Sequence, residues 1–200
     1  MDRSRLVTRG KRLEYFTIAY NSLEGLISIA AGVVAGSVAL IGFGLDSAIE
    51  VTSGAALLWR LRSDNHIRRE QRERMTLRIV GGCFLALAMY VAYESAAILL
   101  DSRAPERSLA GIALAVASLI VMPLLAKAKR QVAGKIGSAA LNADARQAEF
   151  CTYLSAILLG GLLLNVLRGW WWADPIAGLA MAPIIAKEGQ AALRGRTCCQ

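Results

Sequence analysis

Six apolar blocks, each close to twenty residues long and separated by short charged stretches, constrain this chain more than any other feature. They lie at about 15–35, 38–59, 79–100, 109–126, 143–167 and 170–186. An α-helix rises 1.5 Å per residue, so about 20 apolar residues cross the hydrocarbon core of a bilayer. Block three, VGGCFLALAMYVAYESAAILL, is the cleanest, and block four is short but free of charge. Block six reaches spanning length only with Trp170, Trp171 and Trp172 as its anchor at the membrane–water boundary, where indole rings concentrate. Six such blocks in 200 residues leave too little polar surface for a water-soluble protein. The hydrophobic fraction of 56% and mean hydropathy of +0.45 exclude disorder for the same reason. The expected fold is all-α: a single transmembrane domain over residues 1–200, built as a six-helix bundle.

The net charge of +8 follows the blocks rather than forming a nucleic-acid surface. Of the 23 Lys and Arg residues, nineteen fall in the N-terminal tail, the 60–78 and 127–137 stretches and the C-terminal end, all on one side of an even-numbered bundle. Three (Arg103, Arg107 and Arg168) fall on the other side, and Arg146 lies inside block five. Cytoplasmic loops carry the excess of Lys and Arg, so both termini are expected in the cytoplasm. The four cysteines, Cys83, Cys151, Cys198 and Cys199, have no disulfide or zinc-finger spacing. No cleavable leader is expected from the charged first fourteen residues.

Charge inside a bilayer costs a few kcal/mol per residue and is usually functional. Asp46 and Glu50 lie four apart in block two, which puts both carboxylates on one helix face, and no Lys or Arg falls between residues 13 and 59 to neutralise them. Such a pair either takes up protons, bonding helices together, or binds a cation. In block five Asp144, Gln147 and Cys151 share a face; Gln147 offers an amide oxygen and Cys151 a sulfur. The two blocks run in opposite directions, so Asp46 meets Cys151 near mid-membrane while Glu50 and Gln147 lie nearer the cytoplasm. Asp144, Glu24 and Asn21 are accessory candidates, and Glu94 is a further carboxylate in block three. Arg146 and Glu149 are expected to snorkel or pair. His66 reads as a solvated side chain and Cys198–Cys199 as a weak thiophilic pair.

At these residues the chain resembles the cation diffusion facilitator, or cation efflux, family. GSVALIGFGLDSAIE is similar to that family's second helix, where two acidic or His residues four apart bind metal, and LNADARQAEFCTYLSA is similar to its fifth. By position, Asp46 and Glu50 match the helix-two ligands, Gln147 stands where the family has His, and Cys151 where it has Asp. The resemblance covers the transmembrane domain only, without the family's C-terminal cytoplasmic domain. It implies a transporter rather than an enzyme, a homodimer in the bilayer, and export of a divalent cation (Zn²⁺, Cd²⁺, Co²⁺, Fe²⁺ or Mn²⁺) in exchange for protons by alternating access. No prosthetic group and no nucleic acid are implied, and the location expected is the inner membrane of a bacterium. Two other functions fit the residues alone: a proton-coupled exporter of organic cations using Glu24 or Glu94, and a membrane metal-binding protein that does not transport.

Overall fold

The computed structural model describes residues 3–61, 66–102 and 105–194. Across these residues the chain forms α1 (Arg3–Ala35), α2 (Val38–Leu61), α3 (His66–Asp101), α4 (Leu109–Ile136), α5 (Ala139–Arg168) and α6 (Ala173–Leu193). Among the described residues, five stretches are long and apolar enough to cross a membrane: Ser4–Ala35, Val38–Leu58, Arg78–Asp101, Leu109–Ile136 and Asp144–Arg168. The 21-residue α6 is long enough but does not reach the same apolarity. The helices outrun the apolar blocks. The basic stretches expected as connections from 66 to 78 and from 127 to 136 are helical continuations of α3 and α4. A helix that satisfies its own backbone hydrogen bonds gains nothing by unwinding at the edge of its apolar segment.

Helix ends follow local chemistry. The Ser108 hydroxyl accepts from the Gly111 N–H at the start of α4, and the Ser138 hydroxyl accepts from the Leu141 N–H at the start of α5. Between α5 and α6, Trp170 and Trp172 stack with centroids 4.9 Å apart, and the Arg168 guanidinium lies 5.9 Å from the Trp170 ring. These two indoles are part-exposed, as an interfacial anchor requires.

Four helices, α1, α2, α4 and α5, pack around a common interior, while α3 pairs with α6 alongside. α2 is central and touches α1, α3, α5 and α6. Lipid tails are as apolar as leucine, so helices in a bilayer are held by close packing rather than by hydrophobic exclusion. Glycine supplies that packing at two seams. A Cβ at Gly44 would stand 2.9 Å from the Ile29 backbone nitrogen and 3.0 Å from the Gly25 carbonyl oxygen, so α1 and α2 cross backbone to backbone. On the α3–α6 seam, a Cβ at Gly81 would stand 2.8 Å from the Gly189 carbonyl oxygen. Phe43, Phe84, Val91, Met122, Leu154, Leu158, Met181 and Ile185 fill the apolar core between the groups. Leu26, Val34, Tyr93, Leu100 and Leu167 point outward and are largely exposed, an apolar exterior suited to lipid.

Candidate metal centre

The interior of the four-helix group carries a column of polar side chains. Asp46 is fully buried in α2, and neither of its carboxylate oxygens has a hydrogen-bond partner. The Cys151 thiol of α5, also fully buried, lies beside it. Ser118 of α4 stands 4.0 Å from the Cys151 sulfur. α1 closes the column. Glu24 is buried and accepts from the Ser47 hydroxyl at 3.0 Å. Asn21, one turn along, donates from Nδ2 to Glu50 Oε2 at 2.5 Å. Both bonds depend on the Gly25–Gly44 crossing, which brings α1 against the carboxylate-bearing face of α2.

The expected helix-two pair is therefore present on one buried face, and Asp46 meets Cys151 as the opposed helix directions require. Glu50 takes its partner from α1, through Asn21, rather than from α5. Gln147 is half-buried, and its buried Nε2 has no hydrogen-bond partner. Asp144 is held elsewhere, by the ammonium of Lys129. Among the described residues, no three His, Cys, Asp or Glu side chains stand at metal-holding spacing. The arrangement is thus two facing pairs, Asp46 with Cys151 and Glu50 with Asn21, with the Ser47 and Ser118 hydroxyls beside them.

Other candidates are less central. Glu94 is half-buried on α3, outside the four-helix group. Glu149 pairs with Arg130 at 2.5 Å, both part-exposed, on the rim of a cavity of about 560 Å³ between α4, α5 and α6. Arg146, Tyr153 and Glu188 also line that cavity, and the Glu188 carboxylate is within electrostatic reach of Asp46. The His66 side chain, Cys198 and Cys199 lie outside the described residues.

Three buried charges lie outside the candidates that the sequence offers. Lys129 counts by sequence among topological cations, yet it is fully buried in α4 against Glu14 of α1 and Asp144 of α5. Its position was legible: Met122, Leu125, Ala126, Lys129, Val132 and Ala133 recur at helical spacing as the buried stripe of α4, and neighbouring Lys127 falls off that stripe. Glu14 stands at the edge of the first block, where only tertiary contact shows it to be interior. Asp174, fully buried in the first turn of α6, accepts from the Ser37 hydroxyl at 2.5 Å and ties α6 to the start of α2.

Residues 15–194 match the cation efflux transmembrane domain. The chain belongs to the cation efflux family. Among curated proteins it is 23% identical over 175 residues to an uncharacterized transporter of Synechocystis sp., covering 84% of this chain and 56% of that protein. It is 29% identical over 187 residues to an uncharacterized transporter of Methanocaldococcus jannaschii, covering 86% of this chain and 62% of the relative. With Transmembrane protein 163 of Xenopus laevis it shares 24% identity over 178 residues, 88% of this chain and 63% of that protein. The chain thus spans less than two thirds of the length of these relatives. The family, with the apolar helices, makes this an integral membrane protein with a cation efflux transmembrane domain.

Proposed function

We propose that the chain exports a divalent transition-metal cation, Zn²⁺ or an ion of similar chemistry, in exchange for protons by alternating access. The observation that carries this reading is Asp46: a fully buried carboxylate with both oxygens unpartnered, beside a buried thiol. A carboxylate in that setting demands either a proton or a cation, and a site that alternates between the two is an exchanger. Asp46, Glu50, Gln147 and Cys151 supply the donors, with Asn21 and Glu24 supporting them from α1. Carboxylate and amide oxygen with one sulfur suit borderline ions such as Zn²⁺, Cd²⁺, Co²⁺ or Fe²⁺, and tolerate Mn²⁺.

The cycle needs the donors to converge on the ion and separate on release. The α3–α6 pair, locked at Gly81 and Gly189, and the α1–α2 pair, locked at Gly25 and Gly44, are units that can move without losing their internal packing. On the return stroke protons re-occupy Asp46 and Glu50. In this reading both termini lie in the cytoplasm of a bacterial inner membrane, and the working form is a homodimer.

Purified protein reconstituted in liposomes tests the function. A pH gradient should drive uptake of one or more of Zn²⁺, Cd²⁺, Co²⁺, Fe²⁺ and Mn²⁺, with counter-movement of protons, and Asp46→Asn should abolish it. Uptake no faster than in protein-free liposomes for all five ions would overturn the reading.

A further inference from the structure

The Lys129–Glu14–Asp144 cluster is a charged group in the middle of a bundle whose ion site does not use it. The Lys129 ammonium stands 3.2 Å from Glu14 Oε1 and contacts Asp144 Oδ2 directly, and all three residues are buried. They come from α4, α1 and α5. α2 completes the ring: a Cβ at Gly54 would stand 3.4 Å from Glu14 Oε2. The same four helices therefore surround this cluster and the candidate ion site.

Helical rise fixes the relation between the two. From Glu24 to Glu14 on α1, Asp46 to Gly54 on α2, Ser118 to Lys129 on α4 and Cys151 to Asp144 on α5, the displacement is about 10 to 16 Å at 1.5 Å per residue. All four run toward the end of the bundle that carries the start of α1 and the end of α6. Glu50 and Asn21 lie between. The cluster is thus the last polar layer before that end, with Leu57, Val132, Ala133 and Leu141 packed about one turn beyond it.

A buried ion triad is a poor choice for stability alone, because desolvating the charges costs about as much as their attraction returns, and apolar replacement is often neutral or stabilising. What it adds is a contact that a mobile cation can break. An ion moving along the column is drawn to the same oxygens that hold Lys129.

We propose that Lys129 is a positioning residue of the transport cycle: its ammonium latches α1 and α5 to α4 and shuts the terminal end of the column to water and ions. The role in transport rests on the function proposed above; the closure itself does not, and can be read without any transported ion. In a background with Cys83→Ser, Cys198→Ser and Cys199→Ser, Cys151 is the one remaining thiol, fully buried beyond the latch. Its labelling rate by a water-soluble maleimide in detergent reports whether the end is shut. Lys129→Gln, with helix content checked by circular dichroism, should raise that rate at least tenfold, and Lys129→Arg should leave it within about twofold. If Lys129→Gln does not fold, the combined Glu14→Gln, Lys129→Met and Asp144→Asn variant removes the latch without leaving an unpaired charge and should show the same rise. A rate equal to the parent in either folded latch-free variant, or Lys129→Arg labelling as fast as Lys129→Gln, would overturn the proposal. Failure of the liposome assay above, with labelling as expected, would count against the cargo and leave the closure standing.

Discussion

Asp46→Asn separates a ligand from a structural carboxyl more sharply than any other change, because the two roles predict opposite effects on stability. The substitution keeps the shape and removes one charge. Asp46 is fully buried with both oxygens unpartnered by any hydrogen bond, an arrangement that costs about 1–3 kcal/mol for a neutral group and more for an ionised one. An amide there carries no charge to desolvate. The cation-free variant should therefore be at least as stable as the parent, by up to about 1 kcal/mol, or roughly 2–4 °C in melting temperature for a chain of this size. With divalent cation at about 100 times its Kd, the parent gains about 2.7 kcal/mol, or roughly 5–11 °C. A variant whose affinity has fallen a hundredfold sits near its own Kd, and gains only about 0.4 kcal/mol, or roughly 1–2 °C. Thermal unfolding in detergent, followed by circular dichroism with and without Zn²⁺ or Mn²⁺, measures both quantities. A variant that keeps the full cation-dependent shift would show that Asp46 is not a ligand. A cation-free variant several degrees less stable than the parent would show that the carboxyl binds helices together instead.

Three other outcomes follow from the same geometry. Cys151→Ser should weaken binding of thiophilic Cd²⁺ and Zn²⁺ about tenfold more than binding of oxygen-preferring Mn²⁺, measured by competition at fixed pH; equal losses would place the sulfur outside the coordination shell. Gly44→Ala forces a Cβ to within 2.9 Å of the Ile29 backbone nitrogen and should cost about 1–3 kcal/mol while separating Asn21 from Glu50, so an unchanged melt would contradict the α1–α2 crossing. In liposomes or intact cells, single cysteines introduced at position 66 and in the C-terminal tail should label only from the cytoplasmic side, and one at position 104 only from outside. Labelling of position 66 from outside would reverse the orientation drawn from the charge count.

Much of this protein is readable before any coordinates. Six helices follow from block length, because a chain in hydrocarbon must satisfy its backbone within each segment. The Asp46–Glu50 face follows from spacing alone, since residues four apart on a helix are neighbours whatever surrounds them. Asp46 meeting Cys151 follows from opposed helix directions and equal depth. What remained hidden depends on which helix lies next to which. Asn21 and Glu24 become neighbours of the α2 face only because Gly25 and Gly44 let two backbones touch, and hydropathy carries no record of that approach. The α4 stripe places Lys129 inward, but its partners appear only when α1 and α5 set a carboxylate on either side of it. A buried charge is tolerable only where its partners are, and those partners sit 115 and 15 residues away along the chain. The sequence by itself determined the helices and the polar face each one carries. The tertiary structure decided which faces meet, because pairing between helices in lipid is set by close packing of small residues and by reciprocal charge, both of them properties of two segments together.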